Sequence, residues 1–99
     1  NKKRKKLKFS NIEDRVFSAY LRFEVIDRPG VLSKITNIFS KNRVSIKRLV
    51  QNPNNNKKFS SIIIITHKSK NRSLNKILNE TMRQSYIKKR PKLIRIDDN

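Results

Sequence analysis

Glycine occurs once in these 99 residues, at Gly30, where an ordinary domain would carry about 7%. That scarcity excludes both the Gly-x-Gly-x-x-Gly dinucleotide turn and the Gly-x-x-x-x-Gly-Lys phosphate loop. Cysteine is absent, so there is no disulfide framework and no thiolate chemistry, and a reducing, cytosolic setting fits. The one histidine, His67, has no partner at metal-ligand spacing, and as the single candidate acid–base imidazole it reads as a solvated side chain at a strand end. The longest apolar run is Ile62 to Ile65, far short of the roughly 20 residues of a membrane span. No signal peptide follows the basic start. The chain opens on Asn1 rather than Met, which reads as a piece of something longer.

Acidic residues are few as well: 7 Asp+Glu stand against 26 Lys+Arg, giving +19. A charge of that size suits a polyanion partner, nucleic acid or an anionic surface. Yet Lys occurs 16 times, Ile 13 and Asn 12, and all three have A/T-rich codons. A nucleic-acid binder has no reason to enrich Ile and Asn, so genomic composition explains the charge better. Lys2-Lys3-Arg4-Lys5-Lys6 reads as part of a solvated linker over residues 1–17.

From residue 18 the pattern becomes regular. Ala19, Leu21, Phe23 and Val25 alternate with Tyr20, Arg22 and Glu24, the period of a half-buried strand over 18–26. Val31, Leu32, Ile35, Ile38 and Phe39 then form the stripe of an amphipathic helix. Asp27 is placed to cap that helix or to sit just before the cap, Pro29 suits its first turn, and Asn42 suits a left-handed end. Val44, Ile46 and Leu49-Val50 make a second strand, ended by a turn at 52–57. Phe59 to Thr66 is a third strand, whose four isoleucines predict cover on both faces. Asn71 or Ser73 opens a second helix with Leu74, Ile77, Leu78 and Met82 on its stripe, and Tyr86 to Ile96 closes as a strand bent at Pro91. The order predicts an α+β, ferredoxin-like βαββαβ domain. Its four-stranded antiparallel sheet carries both helices on one face, with the first and third strands central.

Catalytic groups are scarce, and what remains is the turn Asp27-Arg28-Pro29-Gly30-Val31-Leu32. Gly30 removes a side chain from the strand-to-helix junction. The helix start offers unpaired N–H groups and a positive dipole end to a carboxylate. Asp27 can accept from an ammonium, so the turn holds both features that an amino-acid zwitterion needs. The plainer alternative leaves Asp27 as a cap and Gly30 as a packing residue. Ser45, opening the second strand, is placed to face the same turn from its own chain or from a neighbour's.

These residues carry a family resemblance. Tyr20-Leu21-Arg22-Phe23, Asp27-Arg28-Pro29-Gly30-Val31-Leu32 and Val44-Ser45-Ile46 resemble an ACT domain. Ile64-Ile65-Thr66-His67 and Lys92-Leu93-Ile94-Arg95-Ile96-Asp97 look like the C-terminal ACT domain of bacterial homoserine dehydrogenases. The resemblance covers roughly residues 18–97 and marks 1–17 as the link to a catalytic domain. It implies a regulatory module without catalytic residues or a cofactor of its own, NAD(P) belonging to the parent enzyme. The implied ligand is an amino-acid effector, threonine first, held by Asp27, Arg28, Pro29, Gly30, Val31, Leu32, Ser45 and Ile46. The implied partner is a second copy joined through sheet edges, in the cytoplasm and away from membranes. Family members often have Asn where this chain has Asp27 and Ser45, and Gly where it has Arg43. Two other readings compete. One is a basic ferredoxin-like domain that binds nucleic acid non-specifically; against specific binding, the third strand has no aromatic stacking row. The other is a purely structural dimerisation module.

Overall fold

Strand β1 spans Val16–Ile26, two residues longer at its start than the alternation predicts. It is central in the computed structural model, which describes residues 12–53 and 58–96. Helix α1 (Val31–Lys41), strands β2 (Ile46–Pro53) and β3 (Phe59–Thr66), the two-residue strand β4 (Ser69–Lys70), helix α2 (Asn71–Met82) and strand β5 (Lys92–Ile96) follow. The order is the predicted α+β, ferredoxin-like arrangement with one short strand added. β3 and β5 flank β1 antiparallel and β2 lies outside β3, so the first and third strands are central.

The alternation of β1 sets the core. Ala19, Leu21, Phe23 and Val25 are buried on the helix side, against Ile35, Phe39, Leu74 and Ile77. Phe23 and Phe39 meet edge to face at 6.2 Å, a geometry that favours the ring quadrupoles. On α2 the predicted stripe shifts. Leu74 and Ile77 are buried, but Met82 is exposed and Thr81 takes its place inside. Thr81 can be buried because its hydroxyl donates to the Ile77 carbonyl at 2.9 Å.

The isoleucine run of β3 is covered on one side only. Ile62 and Ile64 are fully buried, whereas Ile63 and Ile65 are half-buried on the face without helices. The expectation of cover on both faces is therefore corrected: among the described residues no second layer lies over that face. β4 was not legible. It pairs Val16 with Lys70 and Phe17 with Ser69, one residue later than the β3 register would place them. β4 thus resumes the β3 ladder beyond a one-residue bulge. At the interruption the buried Thr66 hydroxyl accepts the Ala19 N–H at 3.0 Å, so that backbone donor stays paired.

The last strand is shorter than predicted. β5 starts at Lys92, directly after Pro91, which cannot donate to a ladder. Residues 86–91 follow β1 irregularly, through a single bridge between Val25 and Ile87. β2 in turn runs on through Asn52 and Pro53, which the turn signal had assigned to a loop. The rest of that predicted turn, 54–57, and the basic run at 2–6 lie outside the described residues. Arg95 joins β5 to α2, donating to Asn71 at 2.6 Å and to Asn75 at 2.7 Å. No helix among the described residues is long and apolar enough to cross a membrane.

Candidate ligand site

The strand-to-helix junction is a turn in its own right. The Val31 N–H donates to the Arg28 carbonyl at 3.3 Å, closing a four-residue turn with Pro29 and Gly30 at its centre. Gly30 has φ 87° and ψ −13°, the values that the third residue of a type II turn requires. Pro29 therefore presets the turn and lies before the helix rather than in its first turn. A Cβ built on Gly30 would meet nothing within 4 Å, so glycine is demanded by conformation and not by crowding within the chain.

Gly30 also occupies the cap position of α1, its carbonyl accepting from the Lys34 N–H at 3.0 Å. No side chain caps this helix. Asp27 stands three residues earlier, its own N–H donating to the Lys58 carbonyl at 2.8 Å. The expectation that Asp27 caps α1 is thus overturned. Asp27, Arg28, Pro29 and Gly30 are exposed, Val31 is buried and Leu32 is half-buried. The Leu32 and Ser33 N–H groups lie beyond the reach of the turn bond and have no acceptor among the described residues. The Asp27 carboxylate likewise makes no ion pair or hydrogen bond there. An exposed anion and two free donors thus flank one bare backbone position, with the positive end of an 11-residue helix behind them.

Ser45 and Ile46 are at the other end of the molecule. Ile46 pairs with Thr66 at the end of β3, while Ile26, just before the turn, pairs with Phe59 at its start. Helix α1 separates the two along its length, roughly 16 Å at 1.5 Å per residue. A meeting of Ser45 and the Gly30 turn within one chain is therefore ruled out. Exposed Ser45 lines a shallow cleft of about 440 Å³ with Thr36, Ser40, Arg43 and Ile46, and its carbonyl accepts from the His67 N–H at 2.9 Å.

The end of α1 also departs from expectation. Asn42 has φ −91° and is not left-handed; Arg43 takes that conformation, with φ 59°. Asn42 instead spends its side chain across the helix layer. Its Nδ2 donates to the Ile38 carbonyl at 2.8 Å and to Glu80 Oε1 at 3.0 Å, while Lys41 pairs with Glu80 at 2.8 Å. Lys41 and then Asn42 hold the Glu80 carboxyl below its ordinary range.

On the open sheet face Phe59 lies under Lys88, whose ammonium sits 4.9 Å from the ring centroid. Ser61, Ile63 and Ile65 continue that face along β3 and offer no ring to a base.

An antiparallel ferredoxin-like sheet backed by two helices, with unsatisfied polar groups at its first strand-to-helix turn, defines a small-ligand-binding module. The family model described as ACT domain matches residues 19–83, and the chain belongs to the ACT domain family, regulatory modules that bind small effector ligands such as amino acids. Among solved structures, the chain is similar to a homoserine dehydrogenase from Thiobacillus denitrificans, with 29% identity and a TM-score of 0.76. That match covers 88% of this chain and 19% of the dehydrogenase, so the chain spans about a fifth of that relative. An uncharacterised protein from Thermotoga maritima matches at 14% identity and TM-score 0.67, over 84% of this chain and all of that one. The ACT domain of a GTP pyrophosphokinase from Chlorobium tepidum matches at 17% and 0.62, over 82% and 99%. The last two show the fold alone. No curated protein matches the chain.

Proposed function

We propose that this chain is the amino-acid-sensing ACT domain of a homoserine dehydrogenase, with threonine as the first candidate effector. The parent enzyme would interconvert L-homoserine and L-aspartate 4-semialdehyde with NAD(P) in the cytoplasm, on a catalytic domain outside these residues. The observation that carries the reading is one turn that holds the Asp27 carboxylate and the Leu32 and Ser33 N–H groups, none of them with a partner among the described residues. An α-ammonium suits the first, and an α-carboxylate suits the second.

The separation of Ser45 from the turn calls for two copies. β2 is an edge strand, and an antiparallel β2–β2 pair about a two-fold axis brings the start of one strand to the end of the other. Pro53 and the Gly30 turn lie at the same end of the sheet, so Ser45 of one copy would approach the turn of its partner. Ligand binding would then favour the paired arrangement, and enzyme activity would follow that population.

Calorimetry with L-threonine tests this reading. Saturable heat and a rise in melting temperature are expected, both lost in Asp27→Ala while the oligomeric state is kept. No heat and no melting shift at millimolar threonine or other aspartate-family amino acids, in a confirmed dimer, would leave only the pairing role.

A further inference from the structure

The sheet face away from the helices carries a cavity of about 520 Å³ that the ACT turn does not use. Four cations line it, Arg22, Lys89, Arg90 and Lys92, together with one carboxylate, Glu24. That carboxylate is committed: it pairs with Arg22 at 2.8 Å and accepts from the Ser61 hydroxyl at 2.6 Å. Lys89, Arg90 and Lys92 make no ion pair among the described residues.

The basic segment is also held in place. The Ile26 N–H donates to the Tyr86 carbonyl at 2.9 Å and the Lys88 N–H to the Glu24 carbonyl at 2.8 Å, which fixes 86–88 along β1. Pro91 is buried behind them. Lys89 and Arg90 therefore hang between two anchors at the cavity wall, beside Lys92 at the start of β5. Lys89 lies close enough to Glu24 to help lower that carboxyl, yet four cations against one carboxylate still leave an excess of three positive charges around one concave site, which focuses a positive potential on it. A monoanion leaves most of that charge unbalanced, whereas a phosphate group supplies two charges and several acceptor oxygens to lysine and arginine donors. The volume falls within the several hundred Å³ common for small-ligand pockets, and Asn52 and Ile63 add an amide and an apolar surface.

We propose that this cavity is a second ligand site, for a small phosphate-bearing anion, on the face of the sheet opposite the helices. It is independent of the threonine reading. Pairing through the β2 edge takes place in the plane of the sheet and leaves this face open.

The whole chain attracts polyanions, so the test must separate a site from diffuse charge. Pyrophosphate and ADP are titrated at fixed, near-physiological ionic strength into three proteins. These are the natural chain, Lys89→Ala/Arg90→Ala, and Lys34→Ala/Lys76→Ala, which removes the same charge from exposed positions on the helices. One-site saturation is expected. Its Kd should rise by about tenfold or more in the first variant and stay within about twofold in the second. If the first variant melts early, Lys92→Gln replaces it with the same expectation. ADP binding tighter than pyrophosphate points to a nucleotide, and equal binding to the phosphates alone. Three results would overturn the proposal: no saturation, equal weakening in both charge variants, or displacement of pyrophosphate by single-stranded RNA whose affinity grows with its length.

Discussion

Two positions among the described residues have positive φ, and they make a matched experiment. Gly30 sits at φ 87°, ψ −13°, and Arg43 at φ 59°. The space around a new Cβ at Gly30 is empty, so Gly30→Ala isolates the backbone cost from any clash. Left-handed backbone costs an L-residue about 1–2 kcal/mol, and this ψ lies outside the small left-handed well, so the upper part of that range applies. Alanine also stiffens the unfolded chain, which returns about 0.4–1 kcal/mol. The net expectation is a loss of about 1 kcal/mol or slightly more. With an unfolding entropy near 0.2 kcal/mol/K for a chain of this length, Tm falls by roughly 5–8 °C. Arg43→Gly runs the other way. It relieves about 1–2 kcal/mol of strain and adds about 0.4–1 kcal/mol of unfolded-state entropy, so Tm rises by up to roughly 8 °C. Thermal melts followed by circular dichroism read both. A Gly30→Ala protein that melts with the natural one would refute the conformational account of the lone glycine. Arg43→Gly melting clearly lower would show that the Arg43 side chain contributes more than its backbone costs.

Acid should destabilise the fold in a defined window. Burial raises the Glu24 carboxyl, but bonds from Ser61 and Arg22 outweigh it and leave it lowered; Glu80 is lowered by Lys41 and Asn42. Depressed folded-state values mean that the stabilisation is complete above the unfolded carboxylate pKa of about 4.3 and lost as pH falls through the folded values. Tm should be flat from about pH 7 to 5 and decline below about 4, and Glu24→Gln/Glu80→Gln should flatten that decline; an unchanged slope would remove these two groups as its cause. Tyr86 is 3% exposed, and its hydroxyl has no hydrogen-bond partner among the described residues. Tyr86→Phe should therefore keep or raise Tm by a few degrees, and a loss above about 1 kcal/mol would reveal a bonded hydroxyl.

What the sequence disclosed depended on how local the cause was. β1 and α1 follow from periodicity alone, because one buried face dictates every second or every third and fourth residue; β3 was found from its isoleucine run, which does not show which face is covered. The end of α1 did not: Asn42 is drawn away by Glu80, 38 residues on, and the left-handed position falls to Arg43. Thr81 displaced Met82 from the core because a helix carbonyl satisfies its hydroxyl, which an apolar stripe does not register. β4 depends on a bulge whose loose donor is caught by Thr66, a tertiary event. For the site, a strand-to-helix turn at Asp27–Leu32 was legible from the lone Gly after Pro, but its type II geometry was not, since Pro29 suited the first turn of the helix equally well. Its separation from Ser45 was not, since spacing in sequence gives no direction along the sheet. The basic cavity was hidden in the same way: Arg22 and Lys92 are 70 positions apart and become direct neighbours only through the β1–β5 register.

The free edge of β2 also bears on solubility. An unpaired strand edge invites uncontrolled addition of further strands, which natural sheets resist with irregularity, charge and proline. β2 has all three. Its register slips between Ile46 and Arg48, Lys47 and Arg48 place two exposed cations at that slip, and Pro53 removes a donor at the far end. The regular stretch left between them runs from Arg48 to Asn52. Five residues suffice for one well-matched neighbour, but they form a poor template for open-ended stacking. The same irregularities that shorten the strand therefore act as gatekeepers against aggregation, while leaving enough regular edge for the pairing proposed above.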